Sequence, residues 1–108
     1  MIKVIVLVPK REDVSSEEFR RYVDETHLPL VTRLPGLRRL LINYAQPNRD
    51  GTPPLYDGVG EDWFESPEAM QAAFAGPEGQ AVMADTRNFA DVARMQVLVV
   101  DEVEVPLA

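Results

Sequence analysis

A chain of 108 residues with net charge −7, from 18 acidic and 11 basic side chains, has the length of one domain and the wrong sign for nucleic acid or an anionic membrane, both of which are bound through Lys and Arg patches. The absence of cysteine excludes disulfides, thiolate catalysis and Cys-bound zinc. An apolar fraction of 45% is globular, and no window has the apolar length of a membrane span or of a signal peptide's core, so a soluble, cytoplasmic protein is expected.

Residues 2–8, IKVIVLV, are apolar or β-branched at nearly every position, which predicts a strand covered on both faces, since a strand with one wet face alternates. Pro9 ends it. Ser15 and Glu18 have capping-box spacing, and Phe19, Tyr22, Val23 and Thr26 then recur at helical spacing, with Arg20–Asp24 and Arg21–Glu25 as i,i+4 pairs on the wet side. Pro29 is expected to push Leu28 out of helical geometry, so His27, the only histidine, is placed near the helix end. Pro35-Gly36 breaks the chain.

Residues 37–45, LRRLLINYA, read as a second strand and 56–65, YDGVGEDWFE, as a third. Between them QPNRDGTPPL, with three prolines and an Asp-Gly pair, predicts a long hairpin loop, either plain surface or a lid over a site. Ser66-Pro67-Glu68 combines a capping hydroxyl, a proline at the first helical position and an acid in the first turn. It opens a helix that Gly76-Pro77 interrupts, with a second piece reaching about Asp85. Residues 94–105, RMQVLVVDEVEV, close the series as a fourth strand. The order β-α-β-β-α-β is that of a ferredoxin-like α+β fold, an antiparallel sheet with helices on one face. The other face, apolar in the first and last strands, then needs a partner, and a second copy packed sheet to sheet is the simplest one.

The segments EEFRRYVDETHLPLVTRLPGLRR, DGVGEDWFESPEAM and MQVLVVDE together resemble the EthD family of small dimeric α+β-barrel proteins, with Thr26-His27, Pro35-Gly36 and Trp63-Phe64-x-Ser66 where that family has them. The resemblance implies a homodimeric barrel and a pocket between helices and sheet. The family is functionally mixed. It takes its name from a protein associated with the degradation of a fuel ether, and related barrels include cofactor-free monooxygenases, cyclases of aromatic polyketide pathways and a muconolactone isomerase.

His27 is then either a helix-terminal residue complementing the macrodipole or a general base or acid. The helix's carbonyl end, Asp24 and Glu25 all favour the imidazolium. Along the third strand Asp62 and Phe64 point one way and Glu61 and Trp63 the other. If Phe64 packs under the helices, Asp62 lies on the pocket side, where it would orient His27 or share its proton; with the parity shifted by one, Glu61 takes its place. Tyr22, Tyr44 and Phe64 are the candidate substrate-binding residues, with Phe74 and Phe89 as further aromatics of the same kind. Arg33, Arg38 and Arg39 form a small basic spot that is either solvated or a hold for an anionic substrate group. One histidine without cysteine provides no metal-ligand spacing, and GVGEDW lies within a strand, so it is not a nucleotide-binding turn. No metal and no cofactor are expected. These readings lead to a homodimeric, cofactor-independent enzyme that abstracts a proton from a small apolar or aromatic molecule, and the resemblance to the family implies that it is an oxidoreductase of the monooxygenase type. The alternatives are an isomerase or cyclase using the same base, and a non-catalytic ligand-binding protein accessory to an oxygenase.

Overall fold

The computed structural model describes residues 1–108. Four strands, β1 (Ile2–Val8), β2 (Arg39–Tyr44), β3 (Gly58–Phe64) and β4 (Gln96–Asp101), form one antiparallel sheet in the order β2-β3-β1-β4. Val4 of the central strand lies opposite Asp62 on one side and Val99 on the other, and Leu40 lies opposite Asp62 from β2. One sheet face therefore carries Val4, Val6, Val8, Gly58, Gly60 and Asp62, and the helices α1 (Ser16–Tyr22), α2 (Leu28–Val31), α3 (Pro67–Ala75) and α4 (Pro77–Thr86) pack on that face. This is the ferredoxin-like α+β arrangement.

The helix starts follow their capping chemistry. Ser15 Oγ accepts from the Glu18 N–H at 3.1 Å, and Ser66 Oγ accepts from the Ala69 N–H at 3.1 Å, each satisfying a first-turn donor that has no partner within the helix. The interruption between α3 and α4 has a steric cause as well as a sequence cause. A Cβ on Gly79 would stand 2.4 Å from both Cα and carbonyl oxygen of Phe74, so only glycine lets the two helices approach this closely.

Three expectations are corrected. Pro29 does not end the first helix. Residues Val23–His27 form a widened π-helical turn in which the Leu28 N–H donates to the Val23 carbonyl five residues back, and Leu28 keeps helical angles (φ −59°, ψ −38°). Pro29, which lacks an N–H, then falls in the first turn of α2, where the missing donor costs nothing. The same turn dissolves the expected i,i+4 ion pairs: Arg20 lies over the Tyr44 ring at 4.3 Å and Asp24 accepts from the Tyr44 hydroxyl at 2.5 Å. The fourth strand stops at Asp101 rather than 105, because Asp101 already pairs with Ile2, at the start of β1. As expected for a sheet with helices on one face only, β4 is left open on its outer side, where Leu98 is 52% exposed, and Val97 is 58% exposed on the helix side as well.

The helix-free face is mixed. Lys3 binds Glu61 at 3.0 Å and Glu102 at 3.1 Å, and Lys3 and Arg39 both lie over the Trp63 ring. Leu41 and Leu98 remain exposed beside this cluster. On the helix face two apolar groups form the core, one around Val4, Val31, Leu34 and Phe64, the other around Val8, Phe19, Val23 and Phe89. Adding a single methyl at the α3–α4 contact is expected to be costly. Gly79→Ala should lose about 1–3 kcal/mol or more through overpacking against backbone that cannot retreat, measured by urea denaturation against the wild type.

Candidate functional site

Between the two core groups lies a cavity of about 430 Å³. Its floor is the row Gly58, Gly60 and Asp62 on β3, two positions without side chains followed by a carboxyl. Phe19, Val23, Phe74 and Phe89 are among its walls. Its mouth opens beside β4, where Met83, Val92, Val97 and Val99 line it and are 62%, 54%, 58% and 52% exposed. Of the 24 lining residues, only His27, Asp62 and Thr86 carry polar side chains, and Thr86 Oγ1 donates to the Val82 carbonyl at 2.8 Å. An enclosure this apolar strengthens whatever electrostatics remains inside it.

Asp62 is 6% exposed and no hydrogen bond or ion pair reaches its carboxyl, which faces the cavity. Burial alone pushes its pKa up to about 6, since nothing compensates the charged form. Glu61 projects from the opposite face, where Asn43 Nδ2 at 2.9 Å and Lys3 Nζ at 3.0 Å bind it and hold its carboxyl below the usual range. The strand parity therefore places Asp62, not Glu61, in the cavity.

His27 enters from the π turn. Thr26, three residues after Val23, is exposed, whereas His27 and Leu28, four and five after it, line the cavity, as a widened turn requires. Its Nδ1 lies 3.0 Å from Asp85 Oδ2, and its ring packs edge-on against Phe89 at 4.5 Å between centroids. Asp85 also accepts from the Tyr22 hydroxyl at 2.6 Å and from Asn88 Nδ2 at 3.1 Å. Burial opposes the charge on Asp85, but the hydrogen bonds from Tyr22, His27 and Asn88 outweigh it and hold the carboxyl below its ordinary value. An ionised Asp85 accepts only, so the proton belongs on Nδ1 and the Nε2 lone pair is left free. Burial lowers the His27 pKa, and the bond and charge of Asp85 offset this only in part.

The expected imidazolium is thus replaced by a neutral imidazole. The helix does not terminate at His27, Asp24 is turned to Tyr44, and the carboxylate on the ring is Asp85 rather than Asp62. Tyr22, Tyr44 and Phe64 line none of the cavity. Tyr22 stands behind His27 on Asp85, Tyr44 is tied to Asp24, and Phe64 is fully buried in the core. Phe19, Phe74 and Phe89 are the aromatics at the wall. No residue of 46–55 lines the cavity either, so that hairpin is no lid over it. Arg33, Arg38 and Arg39 are likewise absent from the lining, Arg38 being paired with Glu65 and Arg39 stacked on Trp63. Asp85 was missed although it had a signal: it follows Val82 by three and precedes Phe89 by four, a spacing that places it on the apolar arc of α4. No group of three or more His, Asp or Glu side chains is arranged to hold a metal, and no helix is long and apolar enough to cross a membrane.

The model of the EthD domain matches residues 11–93. The chain belongs to the EthD family. An EthD family protein of Bacillus halodurans C-125 has a similar structure, with TM-score 0.82 and 26% identity over 95% of this chain and 99% of that one. In sequence the chain is 31% identical over 77 residues to the 4-carboxymethyl-4-methylbutenolide mutase of Pseudomonas reinekei, covering 66% of this chain and 71% of that protein. At lower identity the fold is shared with a dimeric ferredoxin-like protein from Thermobifida fusca YX (TM-score 0.71, 16% identity, 92% of this chain and 88% of that one). It is shared too with SnoaB, a cofactor-independent oxygenase from Streptomyces nogalater (TM-score 0.68, 13% identity, 96% and 94%).

Asp62 gives this EthD domain a measurable pH signature. Its carboxyl titrates at about 6 in the folded chain against about 3.9 unfolded. Between those values the native state holds more protons than the unfolded state, so this group removes stability as pH rises through the window and the loss is complete above it. Asp62→Asn lacks the penalty. Chemical denaturation should find it more stable than the wild type by about 1–3 kcal/mol at pH 7.5, with the gap closing towards pH 4.

Proposed function

We propose that the chain is a homodimeric, cofactor-independent acid–base enzyme that isomerises a small, largely apolar carbon acid by moving a proton between two carbons. The observation that carries this reading is the presence, in one apolar cavity, of a neutral histidine held by a carboxylate and of a second, unpartnered carboxyl.

In the proposed reaction Asp85 holds the Nδ1–H, and His27 Nε2 takes a proton from the carbon next to a carbonyl. The electron pair moves onto the carbonyl oxygen. Asp62, whose raised pKa keeps a protonated fraction available, donates a hydrogen bond to that oxygen as charge develops there, and a ligand that seals the cavity raises its pKa further. The His27 imidazolium then returns the proton to the far carbon of the conjugated system. One C–H bond breaks, another forms, the double bond shifts between them, and both side chains end as they began. The mutase among the sequence relatives supports this outcome over the monooxygenase-type one, whose example shares only the fold. Oxygenation would begin with the same abstraction and differ in the fate of the carbanion.

A test uses α-angelica lactone, an uncharged butenolide whose double-bond shift needs proton removal at one ring carbon and delivery at another, followed by NMR in deuterated water. The wild type should catalyse the shift, with part of the abstracted proton delivered to the far carbon and deuterium there only to the extent that the Nε2 proton exchanges first. His27→Gln should slow it by a factor of about 10² to 10⁴, and Asp85→Asn, whose amide can donate to Nδ1 and so favours the wrong tautomer, by a factor in the same range. Equal rates in wild type and His27→Gln would remove His27 from the chemistry. Binding without turnover in the wild type would favour the accessory-protein reading.

The dimer rests on the helix-free face, with Leu41 and Leu98 exposed, and on the dimeric description of a structural relative. Sedimentation at micromolar concentration should give a dimer for the wild type. Leu98→Asp should give a monomer, because burying an unpaired charge costs several kcal/mol, roughly. A monomeric wild type would end the dimer proposal and leave the cavity chemistry to its own test.

A further inference from the structure

We infer that the cavity selects uncharged, oxygen-bearing molecules and rejects carboxylates. The inference rests on the proposed reading of the cavity as the substrate site, and it sets this chain apart from the mutase relative, whose name specifies a carboxymethyl-bearing butenolide.

The argument begins with what the lining lacks. None of its 24 residues is Lys or Arg, so a buried carboxylate group would find no fixed cation and no bidentate donor. Basic side chains on or next to the sheet and on α1 are engaged elsewhere. Lys3 lies on the helix-free face between Glu61 and Glu102, Arg39 stacks on Trp63, Arg38 pairs with Glu65, and Arg20 lies over Tyr44. His27 does not substitute for them, because its Nδ1 is committed to Asp85 and burial keeps the ring neutral.

What the lining does contain points the same way. Asp62 is more than nine-tenths buried, unpartnered and directed into the cavity, so an anionic ligand would meet a like charge or have to take up a proton with it, with no cation in the lining to offset either. A hydroxyl or a carbonyl meets no such conflict. A carboxylate accepts from a hydroxyl, and the same group in its protonated form donates to a carbonyl. An ammonium would find a counter-charge in Asp62, but burying both ions among 19 apolar residues costs them hydration that a single pair does not return. The absence of side chains at Gly58 and Gly60 leaves flat space beside the carboxyl. A Cβ on Gly60 would meet only Val6 at 3.8 Å, so that space can also be narrowed without strain.

Equilibrium binding tests this without turnover. 2-Naphthol, 2-naphthoate and 2-naphthylmethylamine present one ring system with an uncharged, an anionic and a cationic head, and calorimetry on the full chain at pH 7.5 ranks them. 2-Naphthol should bind at least about 10-fold more tightly than either ion. Asp62→Asn should raise naphthoate affinity about 5-fold or more and narrow the naphthol preference, because naphthoate loses a like charge where naphthol loses its carboxylate acceptor. Gly60→Val, which fills the floor beside Asp62, should weaken naphthol binding, placing the ligand in this cavity by a route independent of Asp62. Naphthoate or the amine binding as tightly as naphthol overturns the inference, as does failure of all three to bind. Loss of lactone turnover with the naphthol preference intact would sink the isomerase reading and leave this one standing.

Discussion

Gly58, Gly60, Asp62 and Phe64 project from one face of β3 because successive strand residues alternate, and the helices can rest only on the ends of that row. At the Phe64 end the chain packs tightly, with Val4, Val31 and Leu34 around a fully buried ring. At the Gly58 end Phe19 lies against bare backbone, 3.2 Å from where a Cβ would be. Between these supports the sheet has nothing tall enough to reach the helices, and the gap is the cavity. Its single polar floor residue follows from the same alternation. A carboxyl at position 62 has no lateral partner, since its neighbours across the sheet are Val4 and Leu40.

The second element of the site depends on a helix that widens instead of stopping. A regular α-helix through residues 16–31 would stack Thr26 or His27 over Val23 and would place the ring of Pro29 against the preceding turn. The π turn accommodates the proline by starting a new helix at Leu28, and it turns His27 towards the cavity and within reach of Asp85. Tyr22 and Asn88 complete the shell around Asp85, so the imidazole is oriented by a carboxylate that is itself fully engaged. Local departures from regular helix commonly mark functional positions, and here the departure has an identifiable cause and an identifiable effect.

The two sheet faces have separate roles for a physical reason. Side chains of opposite charge are gathered on the helix-free face, where Lys3, Glu61, Glu102 and Arg39 surround Trp63. The helix face is left with one unpaired acid. Had Lys3 or Arg39 fallen on the other parity, it would neutralise Asp62 and return that carboxyl to the ordinary range. Charge segregation across a single sheet thus keeps a raised-pKa acid available in the cavity while the cations serve the opposite face.

The sequence alone determined the element order, the helix starts at Ser15 and Ser66, the break at Gly76-Pro77 and the ferredoxin-like topology, and strand alternation narrowed the cavity acid to Asp62 or Glu61. All of these depend on interactions a few residues apart or on strand alternation, and such signals are written locally. It also singled out His27, through its uniqueness and the family resemblance. Only the tertiary structure decided the rest. The partner of His27 is Asp85, 58 positions away, because the packing of α4 against the π turn is not encoded at either residue. The histidine is neutral because burial outweighs its neighbours, and burial is a property of the assembled core. Tyr22, Tyr44 and Phe64 left the cavity to Phe19, Phe74 and Phe89 for the same reason: an aromatic residue's type predicts that it will be covered, and only three-dimensional packing decides what covers it.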